Sequence, residues 1–434
     1  MRSQERSFDV MAFTLANVRS RRSDTLASMP PPTVDSPQSW RRLALALVLA
    51  TVGGVGMWSV VVALPAVQSE FGVARAGASF PYTLTMLGFG AAGMVLGRWS
   101  DRIGIRVPVL AASALLGIGY VASGYATTLM QFALAQGLLI GVGSSVTFGP
   151  LLAHVSMWFE RRRGIAVAIV ASGNYLAGAV WPPIVQHFIA TSGWRATYMG
   201  IGVFVILSMI PLAFLLRGAP PSHALPTAGA RPVGGTPASL GLTPQALQML
   251  LIVAGVACCV AMSMPQVHIV AYCSDLGYGP ARGAQMLSLM LGAGIVSRIT
   301  FGYVMDRIGG LRTLILGGGL QCIALVLFLP FDGLVSLYVI STLFGLFQGG
   351  IVPSYAIIVR EYFPPREAGG RIGIVIFATV VGMALGGWMS GWIFDLTGSY
   401  RAAFVHCIAW NLVNISIASW LLVRARRARL AIAA

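Results

Sequence analysis

The stretch GRWSDRIGIR (Gly97–Arg106) returns in altered form as GYVMDRIGGLR (Gly302–Arg312), with its central acids, Asp101 and Asp306, 205 positions apart. Each copy follows a long apolar run and precedes another. Such a loop must carry charge and bend sharply within a few residues. Gly97 lets a neighbouring helix approach closely, and Gly104 permits the turn. Asp101 can accept hydrogen bonds from a helix N-terminus, while Arg102 and Arg106 hold the loop at a membrane surface. Asp306 and Arg307 take the same places in the second copy.

The register extends beyond the two loops. GWRATY (Gly193–Tyr198) is echoed by SYRAAF (Ser399–Phe404), with Arg195 and Arg401 separated by 206. Gly141 and Gly345, and then Trp158-Phe159 and Tyr362-Phe363, repeat at 204. A nearly constant offset across six spans predicts a six-plus-six duplication. The expected fold is an all-α polytopic membrane protein with twelve transmembrane helices in two six-helix bundles related by a pseudo-twofold. The expected organisation is a disordered cytoplasmic tail over 1–42, bundles over 43–216 and 245–423, a Pro- and Gly-rich cytoplasmic linker over 217–244, and a tail over 424–434. Met29, just before three prolines, is an alternative translation start.

Composition agrees. Of 434 residues, 56% are hydrophobic and 10% charged, where a soluble chain carries about a quarter charged. Apolar stretches of about 20 residues match a hydrocarbon core of ~30 Å. The formal charge of +16 is carried by arginine alone, since the sequence holds no lysine. With both termini cytoplasmic, 24 of the 29 arginines fall in inner segments, 4 in outer loops, and Arg298 lies within a span. That asymmetry fixes the orientation in a cell inner (plasma) membrane and assigns the basic excess to topology and lipid contact rather than nucleic acid.

Several motifs carry no chemistry. Five cysteines lie in or at the ends of spans without metal spacing. GFGAAG (Gly88–Gly93) matches a dinucleotide loop in letters, but it sits inside an apolar span with no strand before it; Gly93 and Gly97 instead read as a pair of small residues for helix packing. Asn414-Ile415-Ser416 fits a glycosylation acceptor inside the last span, a chance match. No phosphate-binding loop is present. The sequence therefore points to no cofactor and no enzyme.

Gly97, Asp101, Arg102, Gly104 and Arg106 resemble the signature loop between helices 2 and 3 of the major facilitator superfamily, and Gly302, Asp306, Arg307, Gly309 and Arg312 resemble its second-half counterpart. The resemblance covers roughly 40–423 and implies a transporter whose loop latches the cytoplasmic side in the outward-open state. WFERRRGIAVAIVASG (Trp158–Gly173) is similar to the run entering helix 5 of monocarboxylate and oxalate/formate-type porters. GGVGMW (Gly53–Trp58) partly resembles their helix 1 signature, without its leading acid, and VHIVAYCSDLGY (Val267–Tyr278) with Ser297-Arg298 is similar to helices 7 and 8 of bacterial members. The resemblance also exposes departures. The acid that animal members carry four residues before the helix 8 arginine is Gly294 here, and the lysines of helix 1 or helix 11 have no counterpart.

Arg298 can be argued without the family. It precedes Asp306 by eight residues, about 12 Å of helix, which places it near the midplane. Arginine there costs at least ~2.5–3.5 kcal/mol on insertion scales and cannot be relieved by deprotonation. No Asp or Glu sits near the middle of any span, so the partner left for the guanidinium is a substrate anion, carbonyl groups or water. One buried cation matches one carboxylate better than two. The reading is a secondary active transporter moving a small organic anion, a monocarboxylate, by alternating access. Arg298 binds the carboxylate, His268 assists or carries a proton, and Asn174, Tyr175, Trp58, Gln348 and Tyr355 line the cavity. His154 reads as packing, and His187 and His406 as interfacial. The alternatives are an efflux porter for drugs or other small solutes, disfavoured because helix 5 reads GNYLAGAVWPP (Gly173–Pro183) in place of a Gly-Pro motif, and a transporter-like membrane sensor. Orientation is testable directly. A cysteine appended after Arg427 is expected to resist an impermeant thiol reagent in intact cells and to react after permeabilisation; labelling in intact cells would reverse the topology.

Overall fold

The computed structural model describes residues 34–216 and 241–433. Eleven helices are long and apolar enough to cross a membrane, and no strand occurs among the described residues. We number the crossings α1 (Pro37–Phe71), α2 (Arg75–Ile103), α3 (Arg106–Tyr125) and α4 (Leu129–Ser156), then α5 and α6 within Arg163–Leu215. The second half holds α7 (Pro244–Asp275), α8 (Pro280–Ile308), α9 (Gly310–Leu327), α10 (Leu334–Tyr362), α11 (Pro365–Thr397) and α12 (Tyr400–Ala433). The α5–α6 run has 53 residues, about 80 Å of helix against a core of ~30 Å, so it must turn back. It does so at Gly193, where φ is 79° and ψ 158°, a conformation closed to side chains with a Cβ. The twelve expected crossings are all present.

Two boundaries differ from the sequence reading. α1 starts at Pro37, six residues before the expected 43, because Ser36 caps it by accepting from the Ser39 amide at 3.3 Å and proline occupies the first turn. Arg42 does not end the helix: it is buried, with its guanidinium 3.9 Å from the Trp158 ring centroid. At the other end α12 runs on to Ala433 through the arginines expected to form a tail. The remainder of the expected N-terminal tail and most of the linker, residues 1–33 and 217–240, lie outside the described residues.

The α4–α5 loop is a clip for the start of α1. Asp35 donates its amide to the Trp158 carbonyl at 3.1 Å, and its carboxylate accepts from the Glu160 and Arg161 amides at 3.3 and 2.9 Å. Trp40 meets Phe159 edge to face at 5.2 Å, with Arg162 over the Trp40 ring. The basic-aromatic run thus ties the start of α1 to the start of α5.

The duplicated glycines mark equivalent crossings. A Cβ on Gly141 of α4 would lie 2.5 Å from the Thr85 carbonyl oxygen of α2, and one on Gly345 of α10 would lie 2.0 Å from that of Met290 of α8. Thr85 and Met290 are themselves 205 apart, so both halves use the same close approach. Gly97 differs from expectation: nothing lies within 4 Å of where its Cβ would be, and Gly93 has only Ser145 at 4.0 Å. That face of α2 turns away from its neighbours. Gly141→Ala and Gly345→Ala are each expected to lower stability by about 1–3 kcal/mol through overpacking, seen as a lower unfolding temperature in detergent. Gly97→Ala is expected to leave it unchanged; equal loss at all three would contradict the packing.

Candidate functional site

The bundles meet along α2 with α11 and along α5 with α8. The α5–α8 seam is close because a Cβ on Gly178 would lie 2.2 Å from Leu291 Cδ1 and one on Gly294 2.7 Å from Tyr175 Cε1. Arg298, one turn beyond Gly294, crosses this seam. Its Nη1 donates to the Ala171 carbonyl of α5 at 2.9 Å, and its guanidinium lies 4.4 Å from the Tyr175 ring centroid. Its Nε is buried with no partner among the described residues. None of the three ion pairs among the described residues involves it. Arg298 is half-buried, and among the described residues its guanidinium has one carbonyl and one aromatic face. The missing acid of helix 8 has a spatial cause, since the Tyr175 ring occupies the space beside Gly294.

The second half contributes the break in α10. The Gly349 amide donates to Ser297 Oγ at 3.0 Å, and a Cβ on Gly349 would lie 2.7 Å from the Arg298 nitrogen. Gln348 is buried beside it, its Oε1 accepting from Gln266 Nε2 at 2.6 Å while its own Nε2 has no partner among the described residues. On the first-half side, buried Trp58 donates Nε1 to the Asn174 carbonyl at 3.2 Å and packs against Gly178. The structure thus gathers Arg298, Tyr175, Asn174 and Trp58 at one seam, with Gln348 adjacent in sequence to the α10 break that packs on α8.

Two candidates lie elsewhere. Tyr355 is fully buried inside the second bundle and donates to Asn414 Oδ1 at 2.8 Å. His268 is fully buried toward the outer end of α7, with Nε2 2.7 Å from the Gly387 carbonyl and Nδ1 3.2 Å from the Tyr400 hydroxyl. It belongs to a cluster that sequence reasoning did not assemble. Arg75, at the outer end of α2, binds both oxygens of Asp275 through Nη2 at 3.0 Å and the Tyr400 hydroxyl through Nη1 at 3.0 Å. The Arg75 and Ala76 amides each donate to Asp395 at 2.8 Å. Arg75 is 6% exposed while Asp275 and Asp395 reach solvent, so this is a clamp between bundles with a buried cation and water-facing acids.

Among the described residues, every hydrogen bond and ion pair that joins the two bundles lies at Arg298 or outward of it. These bonds join the bundles on the Arg75 side of the seam. At the inner surface Arg102, Asp306, Arg307 and Arg312 are exposed, and Gly104 and Gly309 take φ values of 79° and 81°. Arg106 lies over Phe214 and Arg307 over Tyr303. The Asp101 side chain lies outside the described residues. In the second copy the acid that caps the following helix is Glu361, which accepts from the Gly310 amide at 3.0 Å, and not Asp306.

The family model of the Major Facilitator Superfamily matches residues 46–340 and, in a second match, 286–433. Monocarboxylate transporter 13 of Rattus norvegicus is 29% identical over 73% of this chain and 73% of its own length. Monocarboxylate transporter 11 of Mus musculus is 28% identical over 88% of each. Among solved structures, a bacterial homologue of the human lysosomal transporter Spinster, in an inward-facing and occupied conformation, superposes with a TM-score of 0.66 at 12% identity, covering 92% of this chain and 97% of that one.

The seam makes a prediction of its own. Tyr175→Phe keeps the ring face under Arg298 and is expected to retain wild-type thermal stability. Tyr175→Leu removes a desolvated cation–π contact and is expected to lose about 0.5–2 kcal/mol. Equal stability of the two variants would show that the contact contributes nothing.

Proposed function

From the premise that the chain belongs to the Major Facilitator Superfamily and is a transporter, we propose that it carries a small monocarboxylate by alternating access, with Arg298 as the carboxylate site. The observation that carries the reading is the half-satisfied guanidinium of Arg298 at the seam between bundles, with one carbonyl bond, one aromatic face and no carboxylate among the described residues. A fixed cation in a low-dielectric seam attracts an anion, and guanidinium binds carboxylate through paired hydrogen bonds. Tyr175 would present a flat apolar wall beside the anion, and Trp58 would close the first-bundle side. The single cation argues for one carboxylate per molecule carried. The names of the monocarboxylate transporters among its relatives support the same class of cargo.

Movement follows from the seams. With the outer clamp closed and the inner loops apart, the site would communicate with the inner side; opening the clamp around Arg75 while the inner loops meet would expose it outward. The two bundles, each tied by its own glycine contacts, would rock as bodies about the α5–α8 and α2–α11 seams. A mobile proton would make the carried charge neutral, and we assign proton coupling to this transporter on that ground. The inner membrane, with both termini cytoplasmic, is the compartment the arginine distribution supports.

Reconstituted into proteoliposomes, the protein is expected to accumulate short monocarboxylates. Arg298→Ala should abolish accumulation, and Arg298→Lys, which keeps the charge without the fork, should retain a minor part. Uptake by Arg298→Ala at the wild-type rate would remove the anion site. A thermal-shift screen in which lipophilic cations, and no carboxylate, stabilise the protein would replace this reading with drug efflux.

A further inference from the structure

The hydrogen-bond chain around His268 assigns a role that the carboxylate site does not need. The Gly387 carbonyl only accepts, so the His268 Nε2 at 2.7 Å carries its hydrogen. The Tyr400 oxygen accepts from Arg75 Nη1 at 3.0 Å, so its own hydrogen is free to be donated to His268 Nδ1 at 3.2 Å. Every atom then has one role: Arg75 donates to Tyr400, Tyr400 to Nδ1, and Nε2 to Gly387. This arrangement requires a neutral imidazole.

We propose that His268 is a proton switch on the Arg75 clamp: its protonation from the outer side releases the clamp, so that the outer-closed state is the proton-free state and the outward-open state carries the proton. The proposal rests on the transporter reading above and names the device by which outer acidity would favour outward opening. A proton arriving from outer water at Nδ1 turns that atom into a donor. The Tyr400 oxygen would then face two cationic donors, Arg75 and the imidazolium, and its own hydrogen would lose its acceptor. No other group in the cluster relieves this. Asp275 gives both oxygens to Arg75 Nη2, and Asp395 gives both to the Arg75 and Ala76 amides. Facing the pair from α7 is Tyr272, whose ring packs on Tyr400, and from α2 Tyr82, which lies against Gly387. Phe394 of α11 lies beneath the Arg75 guanidinium. From α1 the neighbouring cleft is lined by Gln68 and Ser69, both uncharged. Two cations sharing one oxygen in a buried site are separated most simply by moving Arg75, and with it the outer end of α2, away from α7, α11 and α12. That movement opens the outer seam and admits water to the imidazolium.

The sign fits a carboxylate carrier. Outward opening would take up a proton at His268 while Arg298 becomes available to an anion from the same side. Reclosure restores the neutral imidazole and returns its proton to the outer water through the closing seam, so outer acidity would favour exposing Arg298 to an outer anion without His268 itself carrying a proton across.

The test reads conformation, not transport. Nitroxide labels are placed at Thr127→Cys, in the exposed α3–α4 loop, and Val335→Cys, at the exposed start of α10, with the five native cysteines replaced. Electron–electron distances are then measured from pH ~8 to ~5.5, where histidine titrates and most carboxylates do not. Acidification is expected to transfer population to a longer distance, the open-to-closed ratio rising by about tenfold per pH unit around the midpoint for one linked proton. His268→Gln should abolish the slope, and Tyr400→Phe, which removes the shared oxygen, should flatten it. Arg298→Ala should keep the wild-type slope whether or not it transports, so failure of the carboxylate site and failure of the proton site give different results. A pH-independent outer distance in the wild type overturns the proposal, as does a wild-type slope in Tyr400→Phe or His268→Gln.

Discussion

An arginine cannot give up its charge, and Arg298 carries that charge at the seam between two apolar bundles. Its surroundings are shaped by the need to tolerate it. Glycines at 178, 294 and 349 remove side chains so that α5, α8 and the break in α10 can close around the guanidinium stem. Tyr175 offers its ring face and Ala171 its carbonyl. Among the described residues no carboxylate pairs with Arg298. A half-buried cation short of partners within the protein is open to one brought in from outside.

The duplication explains the scaffold, and the places where it fails explain the moving parts. Glu70 at the end of α1 and Asp275 at the end of α7 are 205 residues apart. In the first half Glu70 receives Trp194 Nε1 and pairs with Arg195 at 2.7 Å, while Arg195 also donates to the Gly124 and Ala126 carbonyls. All of that lies within one bundle, and it acts as a brace. In the second half Tyr400 and Arg401 stand where Trp194 and Arg195 do, yet Asp275 pairs with Arg75 of the other bundle, and Tyr400 accepts from Arg75 as well. The same outer corner has become a clamp between bundles. Arg195 stiffens its bundle; Arg75 holds two bundles together and can release them.

Much of this was legible in the sequence because it depends on period and charge. Twelve crossings and the two-bundle duplication follow from apolar runs and a constant offset, and Arg298 stands out as one charge where none belongs. The close approaches at Gly141 and Gly345 sit at repeated positions, though nothing in the letters said that backbone would meet them. Gly97 shows the limit: a glycine framed by charge reads as a packing site, but its face is open. His268 and Tyr355 were grouped with Arg298 because each lies on a helix that could face the cavity. Facing depends on helix rotation, which one sequence does not set, and Tyr355 turns instead to Asn414. Arg75 was counted as one of four outer arginines. Its partners lie 200 and 320 residues away, and only the pairing of Glu70 with Asp275 in the repeat could have drawn attention to them.

Arg75 and Arg298 together separate two uses of a desolvated guanidinium. Arg75 meets two aspartates, directly or through its backbone, and a tyrosine; its Nε, like that of Arg298, is buried without a partner among the described residues, but its charge is paired with Asp275 and that pair joins the bundles. Arg298 has one carbonyl and one ring. A satisfied cation fixes a conformation, because moving it exposes charges that were paired. An unsatisfied one recruits a ligand, because binding supplies the pair. The two lie on different seams, α2 against α11 and its neighbours for one, α5 against α8 for the other. On the transport cycle proposed above, both seams would be stressed by the same rocking of one bundle on the other. Such a carrier would couple cargo to conformation without a contact between the two arginines.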